Sequence, residues 1–102
     1  TNEDWNQFLK AWIKGRSPNL KVLQAKSETL WDRQKILEGI EGQNQNLEPG
    51  NEKIFHLKTS NFSRSIKIEE SFEIKRENGY SASVIVKTIG DIQTNFMFLV
   101  WQ

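Results

Sequence analysis

The chain of 102 residues is the size of one domain, enough to bury a real core with little to spare. Lys and Arg number 14 against 13 Asp and Glu, so a net charge of +1 provides no whole-molecule field to attract nucleic acid or an anionic membrane. The absence of Cys excludes disulfides, thiolate nucleophiles and Cys-based zinc sites, and makes a reducing intracellular setting, cytoplasmic or nuclear, the expectation.

Apolar residues make up only 36% of the chain, yet they include Trp 4 and Phe 6, so burial is concentrated in a few large side chains. No hydrophobic signal region is present, and the chain opens on Thr1 rather than Met, which reads as one domain, 1–102, cut from a longer protein.

In residues 1–15, Trp5, Phe8, Leu9, Trp12 and Ile13 share one helical face, with Asn6, Gln7, Lys10 and Lys14 opposite. Thr1 or Asn2 caps the start, and Glu3 and Asp4 suit the positive end of the helix dipole. Gly15 ends the helix and Pro18 forbids its continuation. Residues 20–25 follow as a short strand carrying Leu20, Val22 and Leu23. A second helix is predicted from Ser27 or Thr29 to the glycines at 39 and 42, with Leu30, Trp31, Ile36, Leu37 and Ile40 on its apolar side. Arg33 and Gln34 leave a gap in that stripe. Residues 43–52, rich in Asn, Gln, Gly and Pro, read as a loop.

Strand signals alone follow. Residues 54–58 are one short run, 59–65 are a turn region carrying Phe62, and Ile66 and Ile68 then alternate with Lys67 and Glu69. The hairpin of residues 72–88 has Phe72 and Ile74 on one arm and Ala82, Val84 and Val86 on the other. A two-residue turn at Asn78 and Gly79 would set even positions against odd ones and mix the faces. A three-residue turn over Glu77, Asn78 and Gly79, with Gly79 left-handed, pairs Ile74 with Ala82 and Phe72 with Val84. Gly90 and Asp91 then return the chain into Phe96, Met97, Phe98, Leu99, Val100 and Trp101, an unbroken apolar run. Successive strand side chains point to opposite faces, so this run needs cover on both sides, and it is far too short to span a membrane. The expected fold class is α+β: two N-terminal helices with a short strand between them, packed on a mostly antiparallel C-terminal sheet that runs as a meander.

Two stretches carry a resemblance. Residues 5–23, with Asn6, Phe8-Leu9-Lys10, Trp12-Ile13-Lys14-Gly15, Pro18 and Leu20, resemble a segment of the nematode F-box-associated domain, type 2. Residues 72–84, closed by the terminal run, are similar to that family's hairpin and last strand, and Ile36 to Ile40 is similar to one of its helix ends. Glu73, Asn78, Tyr80, Ser81 and Ser83 depart from the family's pattern without breaking the hairpin. The resemblance implies a substrate-recruiting module of a cullin-RING ubiquitin ligase. In that family a preceding F-box contacts the Skp-type adaptor and this domain holds the protein to be ubiquitinated. No F-box stands in these residues, so the implied adaptor contact lies outside them. A structural cap closing a leucine-rich-repeat-like array is the alternative.

No catalytic, cofactor or metal signature emerges, so binding to a protein partner, not catalysis, is the expectation, with no nucleic acid and no membrane. His56 is the only histidine and sits in a strand, and Glu69 and Glu70, being adjacent, point to opposite faces of a strand. Lys10, Lys14, Arg16, Lys21 and Lys26 read as a solvated face. Asn61-Phe62-Ser63 has the form of a glycosylation acceptor but follows no secretory signal. Trp31, Phe62 and Tyr80 fall at element ends, where an aromatic either plugs the core or anchors a partner. The candidate partner-binding residues are Phe62, Arg76, Asn78 and Tyr80, since loops on a rigid sheet carry recognition.

Overall fold

The computed structural model describes residues 2–28, 30–46, 50, 53–58, 63–68, 70–76, 79–89 and 93–101, with backbone alone at 57, 58, 64, 88 and 89. Helix α1 spans Asn2–Ile13, with Glu3 and Asp4 in its first turn. It closes in a Schellman turn: Gly15, at φ 105°, donates its N–H to the Trp12 carbonyl at 2.9 Å, and Arg16 donates to Ala11 at 3.1 Å. Then follow β1 (Val22–Ser27), the single turn α2 (Arg33–Ile36), β2 (Gln43–Asn46), β3 (Lys53–Lys58), β4 (Ser63–Ile68), β5 (Glu70–Lys75), β6 (Ser81–Ile89) and β7 (Gln93–Trp101).

The main sheet has five strands in the order β1-β7-β6-β5-β2, every neighbouring pair antiparallel. The terminal run therefore lies inside the sheet, between β1 and β6. Its even residues Phe96, Phe98 and Val100 meet Leu9 and Trp12 of α1, and the Trp5 ring stacks on Phe96 at 4.2 Å. Phe8 and Trp12 both meet the Phe98 ring edge-on, at 5.2 and 5.1 Å. On the opposite face Leu99 is buried with Phe55, Ile66 and Ile68 of the β3-β4 pair, and Trp101 meets the Phe55 ring at 5.1 Å. The molecule is thus three layers: helix, central sheet and a two-stranded sheet beneath.

The expected α+β class, the first helix and its burial against the terminal strand are present. Hairpin register is also as expected, with Ile74 opposite Ala82 and Phe72 opposite Val84. Four expectations are corrected. The second helix is one turn, because the residues meant to start it are used elsewhere. Ser27 belongs to β1, Trp31 donates its backbone N–H to Thr94 Oγ1 at 3.0 Å, and Asp32 donates its own to Asn2 Oδ1 at 2.9 Å. Asp32 then caps α2 by accepting from the Gln34 N–H at 2.9 Å, while Leu30 is left exposed and Thr29 lies outside the described residues. Residues 43–46, read as loop, form the edge strand β2 beside β5. An edge needs ladder bonds on one side only, so backbone pairing suffices where side chains supply no apolar signal. The strand of residues 20–25 begins instead at Val22, and it borders the sheet beside β7. Finally, the C-terminal half is not one meander: β5, β6 and β7 are, but β3 and β4 leave the sheet to cover its far face, and 63–65 of the expected turn belong to β4.

Cover on both faces predicts two large losses. Phe98→Ala, on the helix side, is expected to lower unfolding free energy by about 3–5 kcal/mol and Leu99→Ala, on the far side, by about 2–5 kcal/mol in urea titration, whereas a bare face would leave Leu99→Ala below about 1 kcal/mol. A Cβ at Gly42 would stand 2.4 Å from the Glu73 carbonyl oxygen and 2.5 Å from the Phe72 ring, so β2 docks only because that residue has none. Gly42→Ala is expected to cost about 1–3 kcal/mol by the same titration.

Candidate functional site

The α1 C-terminus, the start of β1, the end of β7 and the β5-β6 tip meet at one end of the molecule. Trp101 pairs with Ser81 there, and Val100 donates its N–H to the Lys21 carbonyl at 2.8 Å. Arg76 donates its backbone N–H to Tyr80 at 2.9 Å, and Gly79, at φ 91°, donates to Arg76 at 3.0 Å. The predicted closure around a left-handed Gly79 is therefore seen in the residues flanking 77 and 78.

Of the four sequence candidates, Phe62 and Asn78 lie outside the described residues. Arg76 and Tyr80 are brought together, opposite each other across the hairpin, but in different roles. Arg76 follows Ile74 on the helix-facing side and is 6% exposed, its guanidinium 4.8 Å from the Trp12 ring centroid. Its Nη2 donates to the Arg16 carbonyl at 3.2 Å and lies 3.6 Å from where a Gly15 Cβ would be. An arginine expected at an exposed tip is instead a tie between hairpin and helix end. Tyr80 is 40% exposed. Trp31, the other end aromatic described, plugs the opposite end, its ring 5.4 Å from Trp5.

Sequence reasoning placed Lys14, Arg16 and Lys21 on a solvated face without joining them to this end. All three are exposed. The signal was available: the hairpin register carries Arg76 over the helix terminus once α1 is laid along the last strand. Lys26 stands apart, opposite Asn95 towards the other end of β1.

His56 is exposed, its Nδ1 3.1 Å from Ser65 Oγ, and no metal-holding group of three His, Asp or Glu occurs among the described residues. Glu70 is exposed and Glu69 lies outside the described residues. Between α1 and α2 an open groove of about 560 Å³ is lined by Asn2, Glu3, Asn6, Lys10, Lys35, Glu38 and Gly39. Asn6 spans it, donating from Nδ2 to the Ile36 and Glu38 carbonyls, both at 2.8 Å, so it holds α2 on α1. No helix among the described residues is long and apolar enough to cross a membrane.

The fold defines an α+β domain in which one amphipathic helix roofs a mostly antiparallel sheet. Residues 1–25 match the family model described as F-box associated, as the type 2 resemblance anticipated. The matched stretch is the helix, its Schellman turn and the first residues of β1, which is the segment that covers the core and frames the end just described. Neither curated proteins nor solved structures gave a match.

Arg76→Lys tests the tie. Lysine keeps the charge but loses the planar fork, so stability is expected to fall by about 1–3 kcal/mol, with faster amide exchange at Arg16 and Leu20 by NMR. Unchanged stability and exchange would show that the guanidinium does not hold the loop.

Proposed function

We propose that this chain is a protein-recognition module: the part of an F-box protein that holds the substrate of a cullin-RING ubiquitin ligase, the Skp-type adaptor being bound through an F-box outside these residues. The observation that carries the reading is the F-box-associated match over residues 1–25. Those residues also carry structure, since they supply Leu9 and Trp12 to the core against which the sheet packs. The module acts by binding and not by catalysis. Its rigid sheet offers loops and a hairpin tip as contact surface, with Tyr80 an exposed aromatic there.

Deleting these residues from the full-length protein is expected to leave adaptor co-purification intact and abolish ubiquitination of its client. Grafting them onto an unrelated F-box is expected to carry the client along. Client ubiquitination that survives the deletion would contradict the reading and favour a structural cap. Full-length protein that recovers neither adaptor nor cullin would contradict the ligase assignment.

A further inference from the structure

Charge is sorted along α1. At its start Glu3, Asp4 and Asp32 are exposed, Asp32 lying beside Asn2 through their 2.9 Å hydrogen bond, with Lys10 and Lys35 lining the groove next to Glu3. At its end Lys14, Arg16 and Lys21 are exposed, and among the described residues none has a carboxylate partner. Glu77 belongs to the neighbouring tip by sequence and lies outside the described residues. The helix is 12 residues, roughly 18 Å, so the two ends are separated by more than the Debye length of about 8 Å at physiological salt and act as distinct surfaces. The helix dipole favours a cation in the last turn and accounts for Lys14. It accounts less for Arg16, which closes the Schellman turn at the same helix end, and not at all for Lys21, the residue before β1.

This end is also built to hold its shape. Arg76, buried beneath, fixes the Arg16 carbonyl, the Lys21 carbonyl is bonded into β7, and Ser17 is held at φ 52°, a backbone region that non-glycine residues seldom adopt. Cations carried on a fixed backbone, at the same end as the exposed Tyr80, suit a ligand that brings negative charge.

We propose that this basic end, Lys14, Arg16 and Lys21 with Tyr80 at its margin, binds an acidic, carboxylate-bearing segment of the partner protein. This rests on the recognition reading above and gives it a substrate class. A short peptide fits better than nucleic acid: the net charge is +1, and the acidic end of α1 repels a polyanion long enough to extend past the patch.

The test is fluorescence anisotropy of the chain with a labelled ten-residue Glu/Ser peptide, a neutral Gln/Ser peptide and oligo(dT). Binding of the acidic peptide alone is expected, weakening between about 0.05 and 0.3 M salt. The triple charge reversal Lys14→Glu, Arg16→Glu, Lys21→Glu is expected to weaken it at least about tenfold, whereas the matched control Lys26→Glu, Lys35→Glu, Lys87→Glu changes it less than about threefold. Should reversal lower the melting temperature, the triple alanine variant serves, with a loss of at least about fivefold expected. Equal loss in the control, equal binding of the neutral peptide, or tighter binding of oligo(dT) overturns the proposal. The two readings fail separately. If the triple variant still ubiquitinates the client that the deletion loses, this surface is wrong and recognition stands. If the deletion itself loses nothing, the recognition reading falls.

Discussion

Two-sided burial of the last strand is the constraint on which the fold depends. A run of alternately directed large apolar residues is unstable with water on either face, so the chain must supply two covers. It does so with α1 above Phe96, Phe98 and Val100 and the β3-β4 pair below Leu99. β7 is also bordered by β1 and β6, so neither of its long edges is left as a template for another chain. The fold is in effect a wrapping of β7.

Apolar area supplies the driving force and a few polar ties set the geometry. Trp5 and Trp12 bury their indole N–H groups with no hydrogen-bond partner among the described residues, a local cost of about 1–3 kcal/mol each, accepted because the rings fill the helix-sheet interface. Trp101 by contrast donates to Ser83 Oγ at 2.8 Å, which explains a fully buried serine in the middle of β6. Thr94 anchors the chain before α2, Asn6 holds α2 itself, and Arg76 anchors the helix end. Each tie joins segments at least 30 residues apart, so their effect is to fix relative placement.

Legibility of the fold followed the physics of each signal. The amphipathic stripe of α1 and the even-numbered apolar positions of the hairpin are periodic and local, and both were readable, down to the pairing of Ile74 with Ala82. β2 was not, because Gln43 to Asn46 are held by backbone pairing at an edge and carry no apolar pattern. The second helix was over-read because Leu30, Trp31, Ile36, Leu37 and Ile40 suggest one apolar side, while tertiary bonds at Trp31 and Asp32 hold the start of that run outside the helix. At the candidate site the pairing of Arg76 with Tyr80 was within reach. The register also places Arg76 on the helix-facing side; what was out of reach was its hydrogen bond to the Arg16 carbonyl, since that depends on the path of the Schellman turn. The stretch that matches the F-box-associated model, residues 1–25, includes the most readable element of all, α1.

The central claim, that the terminal strand is the enclosed middle of the molecule, is tested most directly by native-state hydrogen exchange. Enclosure predicts that the amides of Phe96 to Val100 exchange only through global unfolding, with an opening free energy matching that from denaturant titration, while Gly79 and the β2 edge exchange through local opening at much lower cost. Exchange in β7 as fast as at the hairpin tip would contradict it.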